Sequence, residues 1–189
     1  MGDIRLIAPS QTFQTAAEAF KREFFDAGET VIHGSSLLDQ MEYSDWLRHV
    51  ERGQDPATVR EGWVPFHTFF AQREEDGQLV GIIDLRHSLD NDFLARYGGH
   101  IGYAVRPSER RRGYAGAMLR QVLAFASGAL GMESVRLGCY ADNLASRRTI
   151  ASCGGHRVEN KPYLDGRHME LWQIDLPDPG RGRGEGDLC

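Results

Sequence analysis

The chain has 189 residues, the size of one domain around a single sizeable core. Acidic residues outnumber basic ones 27 to 22, for a net charge of −5, which argues against a protein that coats nucleic acid or an anionic membrane by bulk charge. No apolar run approaches the roughly 18 residues of a membrane span, and Met1 to Ser10 lacks a secretory apolar segment.

Only Lys21 and Lys161 are lysines, so arginine is common here and an arginine cluster has to be judged by its position. The cysteines, Cys139, Cys153 and Cys189, are odd in number, and no Cys or His pair has zinc spacing. A reduced, cytoplasmic setting without a bound metal fits this usage.

In chain order, Ile4 to Ala8 reads as a short strand. Phe13, Ala16, Ala17, Phe20 and Phe24 follow at helical spacing, predicting a helix over about residues 11–27. A second helix is expected over Met41 to Glu51, then a polar loop from Gly53 to Trp63. The period changes to that of strands at Val64 to Gln72 and Leu79 to Leu85, with a charged link and Asp76-Gly77 between them as a hairpin signal. His87 to Tyr97 is a connector, and His100 to Arg106 a strand closed by Pro107. Ala115, Met118, Leu119, Val122, Leu123 and Ala126 form the cleanest helical face in the chain. A strand at Ser134 to Tyr140, a helix at Asn143 to Ser152, and strands at His156 to Lys161 and His168 to Asp175 complete the pattern. Residues 1–176 read as one domain, and 177–189, rich in Pro, Gly and Arg, as a disordered tail. The order β-α-α-β-β-β-α-β-α-β-β predicts an α/β (α+β) fold with a mixed sheet and not an alternating Rossmann series.

The informative segment is Tyr103 to Leu119. A strand runs into a tight loop, Arg110-Arg111-Arg112-Gly113-Tyr114-Ala115-Gly116, and the loop feeds the strong helix. Small residues at the helix start leave backbone N–H groups free to point at an anion, and the helix dipole adds to the attraction. The pattern is neither a Walker A loop nor G-x-G-x-x-G.

Arg110-x-x-Gly113-x-Ala115 resembles the Gln/Arg-x-x-Gly-x-Gly/Ala loop of the GNAT superfamily of N-acetyltransferases. Asn143-x-x-Ser146 at the next strand-to-helix junction strengthens the likeness, which covers about residues 78–175. Asp84-Leu85-Arg86-His87 with Gly98-Gly99-His100-Ile101-Gly102-Tyr103 is similar to a subgroup of poorly characterised members. The resemblance implies a mostly antiparallel sheet whose two central strands splay apart to admit acetyl-CoA. It implies pyrophosphate binding by backbone N–H groups from Arg111 to Gly116, with Tyr114 among them, and pairing of the Val105 backbone with the pantetheine arm. Asn143 is then expected near the pantetheine and Ser146 near the phosphates, although Asn143 equally suits a helix cap.

Acetyl transfer to an amine requires a neutral nucleophile, yet a lysine-like amine of pKa about 10.4 is almost wholly protonated at pH 7. A base must take that proton, and a backbone N–H near Val105 can stabilise charge on the thioester oxygen. The family's catalytic Glu falls at Gly99, so the neighbouring His100 is the leading candidate base, with His87 and Asp84 as alternatives. The family's usual acid, a tyrosine on the helix after the second splayed strand, is Ile150 here, and the usual Gly-Phe closing that helix is Gly154-Gly155. Tyr163 is the candidate to reach in from the last hairpin. Arg86 and His87 are candidates to bind an acidic group on the acceptor.

The expected activity is transfer of an acetyl group from acetyl-CoA to a small-molecule or peptide amine by direct attack in a ternary complex. The alternative is a non-catalytic acyl-CoA-binding or regulatory domain. Neither nucleic acid nor membrane is an expected partner, and a homodimer is the expected assembly.

Overall fold

The computed structural model describes residues 3–177. The tail expected over 177–189 therefore lies outside the described residues, except for Pro177, whose carbonyl accepts from Ser127 Oγ at 2.8 Å.

The elements are β1 (Ile4–Ile7), α1 (Gln14–Asp26), α2 (Tyr43–Arg52), β2 (Phe66–Arg73), β3 (Leu79–Arg86), β4 (Ile101–Val105), α3 (Tyr114–Leu130), β5 (Ser134–Tyr140), α4 (Leu144–Ser152), β6 (His156–Pro162) and β7 (His168–Asp175). This is the order read from the periodicity. The connector after β3 holds a single π turn, Leu94–Gly98, a geometry frequent at functional sites.

The strands form two antiparallel sheets, one ordered β1-β2-β3-β4 and the other β5-β7-β6. Among the described residues their backbones pair at one place: Gly99 bridges Leu137, and the His100 N–H donates to the Arg136 carbonyl at 2.7 Å. Further along, Tyr103 and Cys139 still lie in the same apolar core, but no ladder joins β4 to β5 among the described residues. The central strands thus part beyond the junction, as the resemblance implied.

Two apolar clusters cover opposite faces. On one, Ile83, Leu85, Ile101, Val135, Leu137, Trp172 and Ile174 pack under Met118, Leu119 and Val122 of α3 and Ile150 of α4. On the other, Phe66, Phe70 and Ile82 pack under Phe20 and Phe24 of α1 and Trp46 and Val50 of α2. The alternation along β3 decides the division, because Ile82 serves one face and Ile83 the other. Ile150, at the position of the family's tyrosine, is wholly buried and packs in the first of these cores.

Two loops close onto the α1/α2 face at the point where the strands part. Gly102 on β4 and Gly138 on β5 leave room for them. A Cβ on Gly34 would sit 2.2 Å from the Gly102 carbonyl oxygen, and one on Gly138 would sit 1.8 Å from that of Tyr97. The α1–α2 loop is therefore seated on β4, and the π turn on β5, with the gap between them.

Candidate active site

The basic loop is held from both sides. Glu109, 7% exposed, takes a 2.8 Å ion pair from Arg73 of β2 and a 3.1 Å one from Arg112. Arg73 also reaches the Tyr114 hydroxyl at 3.3 Å and Asp76 at 2.6 Å. From the other side, Glu23 of α1 pairs with Arg106 and accepts the Ser108 N–H at 2.8 Å. Arg110 grips Glu29 with both terminal nitrogens, at 2.6 and 2.8 Å. Hydrogen bonding to these arginines holds the Glu29 carboxyl below the usual range, and in Glu23 the same kind of bonds outweigh burial, which alone pushes the other way.

Within this frame the backbone turns sharply. Arg111 has φ 65° and Gly113 φ 83°, both left-handed, a conformation only glycine adopts without cost. As a result, the six N–H groups from Arg111 to Gly116 donate to no carbonyl or side chain among the described residues. Such a concave set of free donors at the start of a 17-residue helix fits a phosphate group. The three arginines differ. Arg110 and Arg112 are engaged by Glu29 and Glu109, and Arg111 has no acidic partner among the described residues.

Beside the loop runs the free edge of β4. The His100 carbonyl accepts from the Arg86 N–H, and the Arg106 N–H donates to Val80. Backbone groups of Gly102 and Ala104 therefore point at β3, and those of Ile101, Tyr103 and Val105 point into the gap. An extended ligand arm can pair with such an edge as an added strand. The Val105 carbonyl already accepts from Arg110 Nε at 3.2 Å.

At the far side of the gap, Asn143 caps α4, its Oδ1 accepting the Ser146 N–H at 3.0 Å. Ser146 Oγ lies 2.9 Å from the Tyr103 hydroxyl, whose phenol burial pushes up to about 12. Burial likewise pushes the Cys139 thiol to about 11, so it stays protonated and unreactive.

The residues expected on the acceptor side are divided by the alternation of β3. Arg86 and His100 share the α1/α2 face. Arg86 donates to the Gly99 carbonyl at 3.1 Å and pairs with Asp84 at 2.9 Å. Asp84, fully buried, accepts the Gly102 N–H at 2.8 Å, and burial holds its carboxyl above the usual range despite Arg86. His100 Nδ1 accepts the Arg136 N–H at 2.9 Å. Burial, with Arg136 and Arg86 nearby, lowers its pKa to about 4. The ring is thus neutral at pH 7 with its hydrogen on Nε2, which is poised to donate. His87 follows Arg86 and turns to the opposite face, where its Nε2 lies 2.7 Å from His67 Nδ1. Tyr163 stands on the β6–β7 hairpin with its ring edge-on to Tyr97 at 5.1 Å and to Tyr140 at 5.6 Å.

Glu23, Glu29, Glu109 and Arg73 are supports that the sequence pattern did not reveal. Their partners lie up to 85 residues away along the chain. Gly102 and Gly138 were visible as glycines inside strands, the one signal that another backbone comes close.

The acetyltransferase (GNAT) domain model matches residues 12–156, most of the chain. The chain belongs to this family. It is a GNAT acetyltransferase, with acetyl-CoA as the family's acetyl donor. No curated protein matches its sequence. Solved structures share the fold at low identity. A candidate acetyltransferase from Salmonella typhimurium, solved with its cofactor acetyl-CoA, is 15% identical, with a TM-score of 0.66 over 98% of this chain and 99% of that one. The microcin C7 self-immunity acetyltransferase, solved with acetyl-CoA and AMP, is 13% identical, with a TM-score of 0.66 over 92% and 93%. A candidate ribosomal-protein-serine acetyltransferase from Vibrio cholerae is 16% identical, with a TM-score of 0.63 over 91% and 93%. No helix among the described residues is long and apolar enough to cross a membrane.

Proposed function

We propose that this acetyltransferase moves the acetyl group of acetyl-CoA onto a primary amine by direct attack in a ternary complex. The observation that carries this reading is the set of six unsatisfied N–H groups, Arg111 to Gly116, beside the free edge of β4. When bound, acetyl-CoA supplies an activated acetyl thioester. The loop N–H groups, with Arg110, Arg111 and Arg112 around them, hold its pyrophosphate. The gap-facing backbone of Val105 and Tyr103 orients the pantetheine and offers an N–H to the oxygen on which charge gathers. The amide nitrogen of Asn143, left over from capping, and the Ser146 hydroxyl line the opposite wall.

The amine reaches the gap from the α1/α2 face, between the loop seated on Gly102 and the turn seated on Gly138. His100 keeps its hydrogen on Nε2 there, so it acts as a donor and the proton of the acceptor leaves to water. The Tyr163 hydroxyl, without a partner among the described residues, holds a proton for the departing thiolate.

Release of coenzyme A across a panel of amines tests the proposal, with initial-rate lines for the two substrates expected to intersect. Parallel lines would indicate a covalent acetyl-enzyme instead of direct attack. Tight binding of acetyl-CoA with no release on any amine would overturn the transfer reading in favour of a binding domain.

A further inference from the structure

We infer that the amine acceptor carries a carboxylate, seated on Arg136 with help from Arg86 and His100; this rests on the amine-transfer reading above. The residues lie in one row across both sheets. Phe66 pairs with Arg86, the Arg86 N–H bonds the His100 carbonyl, the His100 N–H bonds the Arg136 carbonyl, and Arg136 pairs with Gln173. Register partners share a face, and Phe66 lies on the α1/α2 side. The row is therefore on the acceptor side, one step from Gly102 and Gly138, where the strands part.

Its charges are unequal. Asp84 engages Arg86, but Arg136 is exposed and has neither an ion pair nor a side-chain hydrogen bond among the described residues. His100, between the two arginines, is neutral and turns a protonated Nε2 outward, with no protein partner and no burial that strands it. Two guanidinium groups and an imidazole N–H set against one carboxylate leave this patch electropositive in a protein of net charge −5. Charge-assisted donors of this kind recognise carboxylates. The bond from Arg86 to the Gly99 carbonyl fixes one guanidinium at the junction, and Arg136 stays free to close on the ligand. His87, on the far face, takes no part.

The test compares amino acids with their own amides and decarboxylated amines. The unaltered chain is expected to use the carboxylate members about ten-fold better in kcat/KM, and Arg136→Ala to remove that preference through KM. The variant is expected to leave KM for acetyl-CoA and rates with the amides unchanged, and Arg136→Lys to restore part of the preference. Equal use of acids and amides, or an equal loss on both in Arg136→Ala, overturns the inference. A second arm needs no turnover. With coenzyme A present, the preferred amino acid is expected to raise Tm of the unaltered chain and not of Arg136→Ala, and no amide to raise either. If no amine is acetylated, the transfer reading fails while this arm still decides the carboxylate site: absence of any amino-acid shift overturns it.

Discussion

His100 shows how a single side chain changes meaning once its neighbours are known. Alone it is a titratable group near physiological pH. In place, burial and two arginines lower its pKa to about 4, and burial lowers those of His67, His87 and His49 as well. The unfolded chain takes up protons near pH 6.5 that the fold refuses. These groups therefore contribute stability that is whole above about pH 6.5 and is lost as pH falls below it, for His100 toward about 4. Urea unfolding is expected to show a lower midpoint at about pH 5 than at about pH 7.5, and His100→Gln to flatten the difference. An unchanged midpoint would mean that these rings are not held neutral. Gly138 makes a second case. A methyl there would meet the Tyr97 carbonyl oxygen at 1.8 Å. Gly138→Ala is expected to cost about 1–3 kcal/mol in denaturant unfolding and to reduce acetyl transfer by lifting the π turn from β5.

At the scale of elements, strands and helices were legible because each buries one face with its own period. The Ser134–Tyr140 and His168–Asp175 strands fall where the alternation puts them. The loop before α3 was legible from Gly113 and Ala115, whose small size is a local property. What holds that loop was not, since Glu23, Glu29 and Glu109 look like ordinary surface acids until α1 and β2 are packed beside it. The pairing of Arg86 with His87 on one acceptor site failed to account for alternation at the end of β3, which sends adjacent side chains to opposite faces. Two measurements probe the loop. Gly113→Ala places a side chain at φ 83°, a strain of about 1–2 kcal/mol, and acetyl-CoA affinity by calorimetry is expected to fall about ten-fold. Glu29 competes with an anionic ligand for Arg110. Its pair is solvent-exposed and worth under about 1 kcal/mol, so Glu29→Gln is expected to leave stability nearly unchanged. It should tighten acetyl-CoA binding a few-fold, an effect that fades at about 1 M salt. Weaker binding would show instead that Glu29 positions Arg110 for the ligand.

For the molecule as a whole, the two sheets divide the work. The β6 rim is an edge strand blunted by a bulge at Val158, by Lys161 and by Pro162, features that discourage pairing with another chain. The inner edge of β4 carries no such protection. Tyr103, and Val105 through its N–H, present unpaired backbone groups to a gap bounded on the other side by β5 and α4. The edge that the fold leaves open is thus the one beside the anion-binding loop. A ligand that fills it joins both sheets through α3, whose apolar face is part of the core beneath both. Binding is therefore expected to stabilise the entire domain and not only the loop. Acetyl-CoA at about one hundred times its Kd adds about 2.7 kcal/mol, or a rise in Tm of about 5–10 °C for a chain of this size. Amide hydrogen exchange distinguishes the mode of binding. Slowed exchange at Ile101, Tyr103 and Val105 together with Arg111 to Gly116 is the signature of an added strand ending on the loop. A rise in Tm with slowing at the loop alone would place the pantetheine outside the gap, and the free edge of β4 would then need another occupant.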